Sequence, residues 1–192
     1  MINAVLILVL FGSSILLIVG VLLWFYYPAL YDLPAVAARP ERIRKALELV
    51  KLQPGEVLYD LGAGDGRVLL MAARDFGARA VGIEIGPLQC VWIGLRIAAG
   101  GLRERVQVRW GNFYKAELHD ADVVYVYATS RAVGKLASFL AQQMKPGARL
   151  VSIMADFPEW EPSAFDERGL IFVYDMPPTR GSLTTYLMKR AK

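Results

Sequence analysis

The sequence predicts an α/β fold: a doubly wound, mostly parallel sheet with an antiparallel C-terminal hairpin, preceded by one N-terminal transmembrane helix. Three observations lead there. No charged residue occurs from Ile2 to Leu30, the first being Asp32. From Glu56 onward, short apolar runs alternate with stretches of helical periodicity. In the last third, two β-prone runs are joined by Pro177-Pro178-Thr179-Arg180-Gly181, a connection short enough for a hairpin.

The N-terminal run Ile2–Tyr27 is rich in Leu, Ile and Val and closes on Trp24, Phe25, Tyr26 and Tyr27. About 20 apolar residues cross a bilayer core as a helix, and aromatic rings of this kind settle among the headgroups. Arg39, Arg42, Arg44 and Lys45 follow, against Asp32 and Glu41. The positive-inside rule then makes this a single-pass membrane protein with its folded domain on the cytoplasmic side. The competing reading is a cleaved signal peptide, with Ala35-Val36-Ala37 as the cleavage site. The missing basic n-region and the length of the apolar run oppose it. The chain divides into a transmembrane anchor (1–30), a linker (31–39) and one domain (40–192).

Within that domain, Pro40–Leu52 is predicted helical, because Ile43, Ala46, Leu47 and Val50 share one face. Gln53-Pro54-Gly55 makes a turn. Then come strand Glu56–Leu61, helix Gly66–Phe76, strand Ala78–Ile85 and helix Pro87–Ala99, which Gly100-Gly101 ends. Strands Val106–Trp110 and Asp122–Ala128 follow, the latter apolar enough for the centre of a parallel sheet. Ser130–Met144 is predicted helical with Ser130 as its cap. Lys145-Pro146-Gly147 turns into strand Arg149–Met154, and the hairpin pairs Leu170–Met176 with Ser182–Lys189.

Composition narrows the function. The 192 residues suffice for one domain plus an appendage. The chain is 55% hydrophobic with a mean hydropathy of +0.36, which excludes disorder. Cys90 and His119 are the single residues of their kinds. That excludes a disulfide framework, a Cys-cluster zinc site and a His-rich metal centre, and no metal is expected. The net charge is +4 and the pI about 9.2, but no aromatic-interleaved basic stripe appears, so no nucleic-acid partner is expected.

The chemistry centres on Asp60-Leu61-Gly62-Ala63-Gly64-Asp65-Gly66, an apolar strand ending in an acid, three alternating glycines, then a helix. Glycines let the backbone turn sharply and let a ligand approach it closely. A dinucleotide fingerprint spaces its last glycine three residues after the second, whereas Gly66 follows Gly64 by two. Asp60 would oppose a pyrophosphate, yet it suits a ligand bearing an amino cation or a sulfonium. Glu84 closes the second strand, where an acid accepts from ribose hydroxyls. Asn112 and Phe113 close the third, offering a polar edge and a ring to a base. These three strand ends match the parts of a nucleoside.

The combination resembles the class I S-adenosylmethionine-dependent methyltransferases over about Pro40 to the end. The resemblance implies a seven-stranded sheet with its seventh strand antiparallel, and S-adenosylmethionine as cofactor. It further implies that Asp60, Leu61, Gly62, Ala63, Gly64 and Gly66 wrap the methionine part, Glu84 the ribose and Asn112 with Phe113 the adenine. With the N-terminal apolar helix, Phe157-Pro158-Glu159-Trp160-Glu161-Pro162 and Val173-Tyr174-Asp175-Met176-Pro177, the chain looks like the membrane-anchored protein-lysine methyltransferases of the ATP synthase c-subunit and adenine nucleotide translocator type. Where such relatives carry Val-Pro-Ser/Thr before the first helix, this sequence has Ala37-Ala38-Arg39-Pro40. The implied partners are the bilayer, through the N-terminal helix, and a protein bearing an acceptor lysine.

A lysine acceptor must be neutral to attack, and its usual pKa is about 10.4. Its pocket is expected at the end of the fourth strand, with Tyr127 the candidate catalytic residue and Thr129 second. The Asn-Pro-Pro-Tyr signature of amide and nucleobase methyltransferases is absent. A lipid, quinone or other small-molecule acceptor is the alternative. Asp156 is expected to cap rather than catalyse, Cys90 to pack and His119 to meet solvent. Trp160 is either a lid or a packed anchor.

Overall fold

The computed structural model describes residues 3–26 and 38–191. The predicted linker, with Pro34 and the Ala35-Val36-Ala37 cleavage candidate, lies almost wholly outside them. Helix α1 spans Ala4–Tyr26. Its 23 residues make about 35 Å at 1.5 Å per residue. Among the described residues, no helix is long and apolar enough to cross a membrane.

The domain begins with α2 (Pro40–Leu49), whose Ile43, Ala46 and Leu47 are buried as their spacing requires. Five βα-type strands follow: β1 (Val57–Leu61), β2 (Arg79–Glu84), β3 (Val106–Trp110), β4 (Val123–Tyr127) and β5 (Arg149–Ile153). Helices α3 (Arg67–Asp75), α4 (Pro87–Ala99) and α5 (Val133–Gln143) link them. β6 (Ala164–Asp166) and β7 (Ile171–Asp175) complete a seven-stranded sheet in the order β3-β2-β1-β4-β5-β7-β6. β1–β5 are mutually parallel, and β7 is antiparallel to both β5 and β6. Strand order reverses between β1 and β4, where open α/β sheets bind ligands.

Each face of the sheet carries a core. Leu58, Val123 and Val151 pack with α2, α3 and α4, and Tyr59, Val124 and Leu150 pack with α5. Among the described residues, neither core contains a member of α1.

Two expectations are corrected. Ser182–Lys189 is not a strand: Leu183–Arg190 forms helix α6, capped by Ser182, whose hydroxyl accepts from the Thr185 N–H. The antiparallel hairpin is instead β6–β7, because β7 already has β5 on its other side. Ser130 does not cap α5 either; the helix starts at Val133 after Ala132, with no side-chain cap.

Candidate active site

The glycine turn is held in a shape only glycines take easily. Gly62, Gly64 and Gly66 have φ of +89°, +58° and +77°. The Gly62 and Ala63 N–H groups donate to the Ile83 carbonyl at 2.9 and 3.1 Å, so β2 fixes the near end of the turn. A Cβ at Gly66 would lie 3.0 Å from Cγ1 and Cγ2 of Ile93, so α4 packs hard against the far end. Gly82, opposite Asp60 in the ladder, leaves room for the turn itself: a Cβ there would meet Leu69 Cδ1 at 2.5 Å and Ala63 Cβ at 2.8 Å.

Glu84 is buried behind the turn. Its Oε2 accepts from the Gly64 N–H at 2.7 Å and its Oε1 from the Gly86 N–H at 2.8 Å. Burial raises its pKa, and the hydrogen bonds from Gly86, Gly64 and Ile85 pull the other way. A carboxylate has about four acceptor directions, so these bonds leave capacity for ligand hydroxyls.

Asp60 is buried at the end of β1 and makes no ion pair among the described residues. Burial, then the charges of Glu84 and Asp65, push its pKa up to about 8. Asp65 is different. Burial opposes its charge, yet hydrogen bonds from Arg67 and the charges of Arg67 and Arg96 hold it below the usual carboxylate range. Arg67 Nε lies 2.9 Å from Asp65 Oδ1, and its Nη1 donates to the Ala38 carbonyl at 2.9 Å. The turn is thereby tied to the entry of α2.

Tyr127 stands half-buried at the end of β4, on the α2 side of the sheet. The Arg42 guanidinium sits 5.8 Å from its ring centre, and Arg42 Nε donates to the Gly169 carbonyl at 2.6 Å. Tyr125, one layer down the same face and level with Asp60, buries a hydroxyl with no hydrogen-bond partner. Burial and the Asp60 charge raise its pKa, so it stays a neutral phenol. Sequence reasoning missed Tyr125, Arg42 and Arg67. The strand alternation from Tyr127 pointed to Tyr125, whereas Arg42 and Arg67 depend on packing that no local pattern encodes.

Asn112 is half-buried, and its Oδ1 accepts from the Tyr114 N–H at 3.0 Å, capping a 3-10 turn at Phe113–Lys115. Phe113 is buried, its ring centre 4.4 Å from Tyr114 and 6.5 Å from Phe139, so most of its surface serves the core. Leu61 and Ala63 are buried supports of the turn.

The remaining candidates settle as structure. Asp156 accepts from the Tyr174 hydroxyl at 2.7 Å. Trp160 is a packed anchor, stacked on Phe157 at 4.7 Å and bridged through its backbone to Arg180. Cys90 is half-buried, and burial with the Glu84 charge pushes its thiol up to about 11. His119 is exposed.

A glycine-rich backbone cradle flanked by two buried carboxylates, Asp60 and Glu84, fits a ligand with hydroxyls and a positive charge. The ANTKMT methyltransferase domain family matches residues 60–164, from Asp60 through the start of β6. The chain belongs to that family. It is an S-adenosylmethionine-dependent methyltransferase. A protein-lysine N-methyltransferase of Saccharolobus islandicus (strain REY15A) is 32% identical over 130 residues, covering 67% of this chain and 81% of the relative. The mouse lysine N-methyltransferase of the ATP synthase c-subunit is 27% identical over 174 residues, covering 88% and 70%. Among solved structures, an RNA methyltransferase from Salinibacter ruber in complex with S-adenosyl-L-homocysteine superposes with a TM-score of 0.72 at 33% identity, covering 76% of this chain and 97% of that one.

Proposed function

We propose that this methyltransferase is anchored in a membrane by α1, works on the cytoplasmic side and methylates a lysine of a membrane-associated protein. The observation that carries the acceptor class is the likeness to relatives named as lysine N-methyltransferases across most of the domain. For the anchor, the support is a 23-residue uncharged helix whose described residues belong to neither core.

In this reading Asp60 and the Gly62–Gly66 turn hold the methionine part of the cofactor, Glu84 the ribose and Asn112 with Phe113 the adenine. When bound, S-adenosylmethionine supplies an electrophilic methyl carbon on a sulfonium sulfur. The rest falls to this chain. Ionised Asp60 offsets positive charge in a buried place where water cannot. Tyr127 orients the acceptor nitrogen. The Arg42 guanidinium above its ring makes a second cation unwelcome, which favours the neutral amine over the ammonium.

The deciding experiment incubates the full chain with methyl-labelled cofactor and a membrane fraction, then hydrolyses the labelled species. Recovery as methyl-lysine is expected. Label confined to the lipid extract would favour a lipid or quinone acceptor instead. The Salinibacter likeness supports a second reading, an RNA acceptor; label in nuclease-sensitive material, with none in protein, would establish it.

A further inference from the structure

Helix α4 is apolar on two faces. Ile93 and Ile97 point into the core. On the other side Leu88, Val91, Trp92 and Leu95, at i, i+3, i+4 and i+7, each keep between 49% and 62% of their surface exposed. Trp110 continues the patch from the neighbouring strand: it is 71% exposed, and its indole N–H donates to the Ile85 carbonyl just before α4. A helix apolar on two faces ordinarily packs both against protein or lipid, and a contiguous exposed apolar patch marks an interaction site.

We propose that this face of α4, with Trp110, rests in the headgroup layer of the bilayer. It thereby fixes the orientation of the catalytic domain. The charge pattern selects this occupant. Helix α4 contains no acidic residue, and the turn after it carries Arg103 and Arg105 against Glu104 alone, while Arg96 is taken up by Asp65. Apolar and tryptophan side chains beside arginines are the composition of an interfacial helix on an anionic lipid surface. Two copies packed face to face would bring like charges together. The tether makes contact feasible: from Tyr26 to Pro40 the chain spans at most about 45–50 Å when extended. The inference deepens the anchored-enzyme reading. Helix α4 starts where β2 ends, beside Glu84, so lipid against α4 sets the cofactor edge of the sheet next to the membrane surface.

The test uses the full chain reconstituted in anionic bilayers, with Cys90→Ala and one spin label at a time. Leu95→Cys probes the α4 face, Leu16→Cys the anchor and Gln142→Cys the opposite side, on α5. At Leu95 collisions with oxygen are expected to exceed those with a water-soluble nickel complex, and at Gln142 the reverse. A lipid-exposed Leu16 with a water-exposed Leu95 would overturn the inference while leaving the anchor intact. A water-exposed Leu16 with a lipid-exposed Leu95 would support the inference and remove the anchor. Dipolar broadening between Leu95 labels without lipid exposure would assign the face to a second copy and overturn it. Should the labelled variants fail to fold, quenching of Trp92 and Trp110 by brominated lipids in the Trp24→Phe, Trp160→Phe chain gives the same decision. Quenching supports the inference, and emission insensitive to bromine opposes it.

Discussion

At the residue scale the site is a balance between stability and binding, and Asp60 shows it most clearly. Its folded pKa of about 8 stands above the ordinary 3.8. The folded state therefore holds a proton that the unfolded state has lost. The stabilising contribution is complete below about pH 4 and is lost as pH rises through about 8. Asp60→Asn should remove that pH dependence and, at pH 8 and above, stabilise the fold by about 1–3 kcal/mol, since an unpaired buried charge is gone. Urea denaturation at pH 5, 7 and 9 measures this. The same substitution should weaken cofactor binding. In the parent protein, binding a cationic ligand should release a proton, so affinity rises with pH up to about 8. Calorimetry in buffers of different ionisation enthalpy tests that release. An Asn variant that binds as tightly as the parent would exclude Asp60 from the site. Glu84 carries a different load, because both its oxygens already hold backbone N–H groups of the turn. Glu84→Ala should cost roughly 1.5–3 kcal/mol of cofactor affinity, the range for hydrogen bonds to charged groups. Amide exchange at Gly64 and Gly86 should rise as well.

Tyr127 and Gly66 extend this logic to the acceptor and the turn. Tyr127→Phe should lower kcat while leaving cofactor affinity within about twofold, because the lost hydroxyl matters for proton transfer and orientation. Equal losses in both would place Tyr127 in the cofactor pocket. Gly66→Ala should destabilise the fold by about 1–2 kcal/mol for a left-handed conformation, with more from the Ile93 contact at 3.0 Å. Thermal melts of the two variants separate an acceptor residue from a structural one, since only the glycine change should move the midpoint.

At the scale of elements, what was legible followed from pattern, and what was not followed from partnership. Helix α4 and strand β3 fall where the sequence places them, because proline, glycine pairs and apolar alternation mark their ends locally. The same holds for the acid-glycine turn and Glu84, whose spacing is set by one βαβ unit. The C-terminal pairing was not legible. Leu183-Thr184-Thr185-Tyr186 has strand-like propensity, yet both sides of β7 are already taken, and a Ser182 cap lets the segment coil into α6. The actual partner, β6, is three residues long with no buried member, too short to announce itself. Ser182→Ala should therefore cost about 1 kcal/mol. The loss should appear as fraying of α6, seen by amide exchange at Leu183–Tyr186, with the sheet untouched.

At the scale of the whole molecule, the proposed function divides the labour between the domain and α1. Among the described residues, the two cores lie within residues 38–191, where the candidate site also sits. What an anchor adds is encounter. A site held within a tether of the bilayer would meet lysines near the headgroups at a high effective concentration, and linkage of this kind is worth about 10²–10⁴ without any new contact. Removing residues 1–37 should leave the turnover of a soluble acceptor peptide unchanged. On an acceptor embedded in vesicles, the rate at low enzyme concentration should fall about a hundredfold. Restoring tethering by another route, with a histidine tag on the truncated domain and nickel-chelating lipid in the vesicles, should recover most of the loss. Equal rates on the embedded acceptor with and without α1 would show that the helix serves something other than encounter.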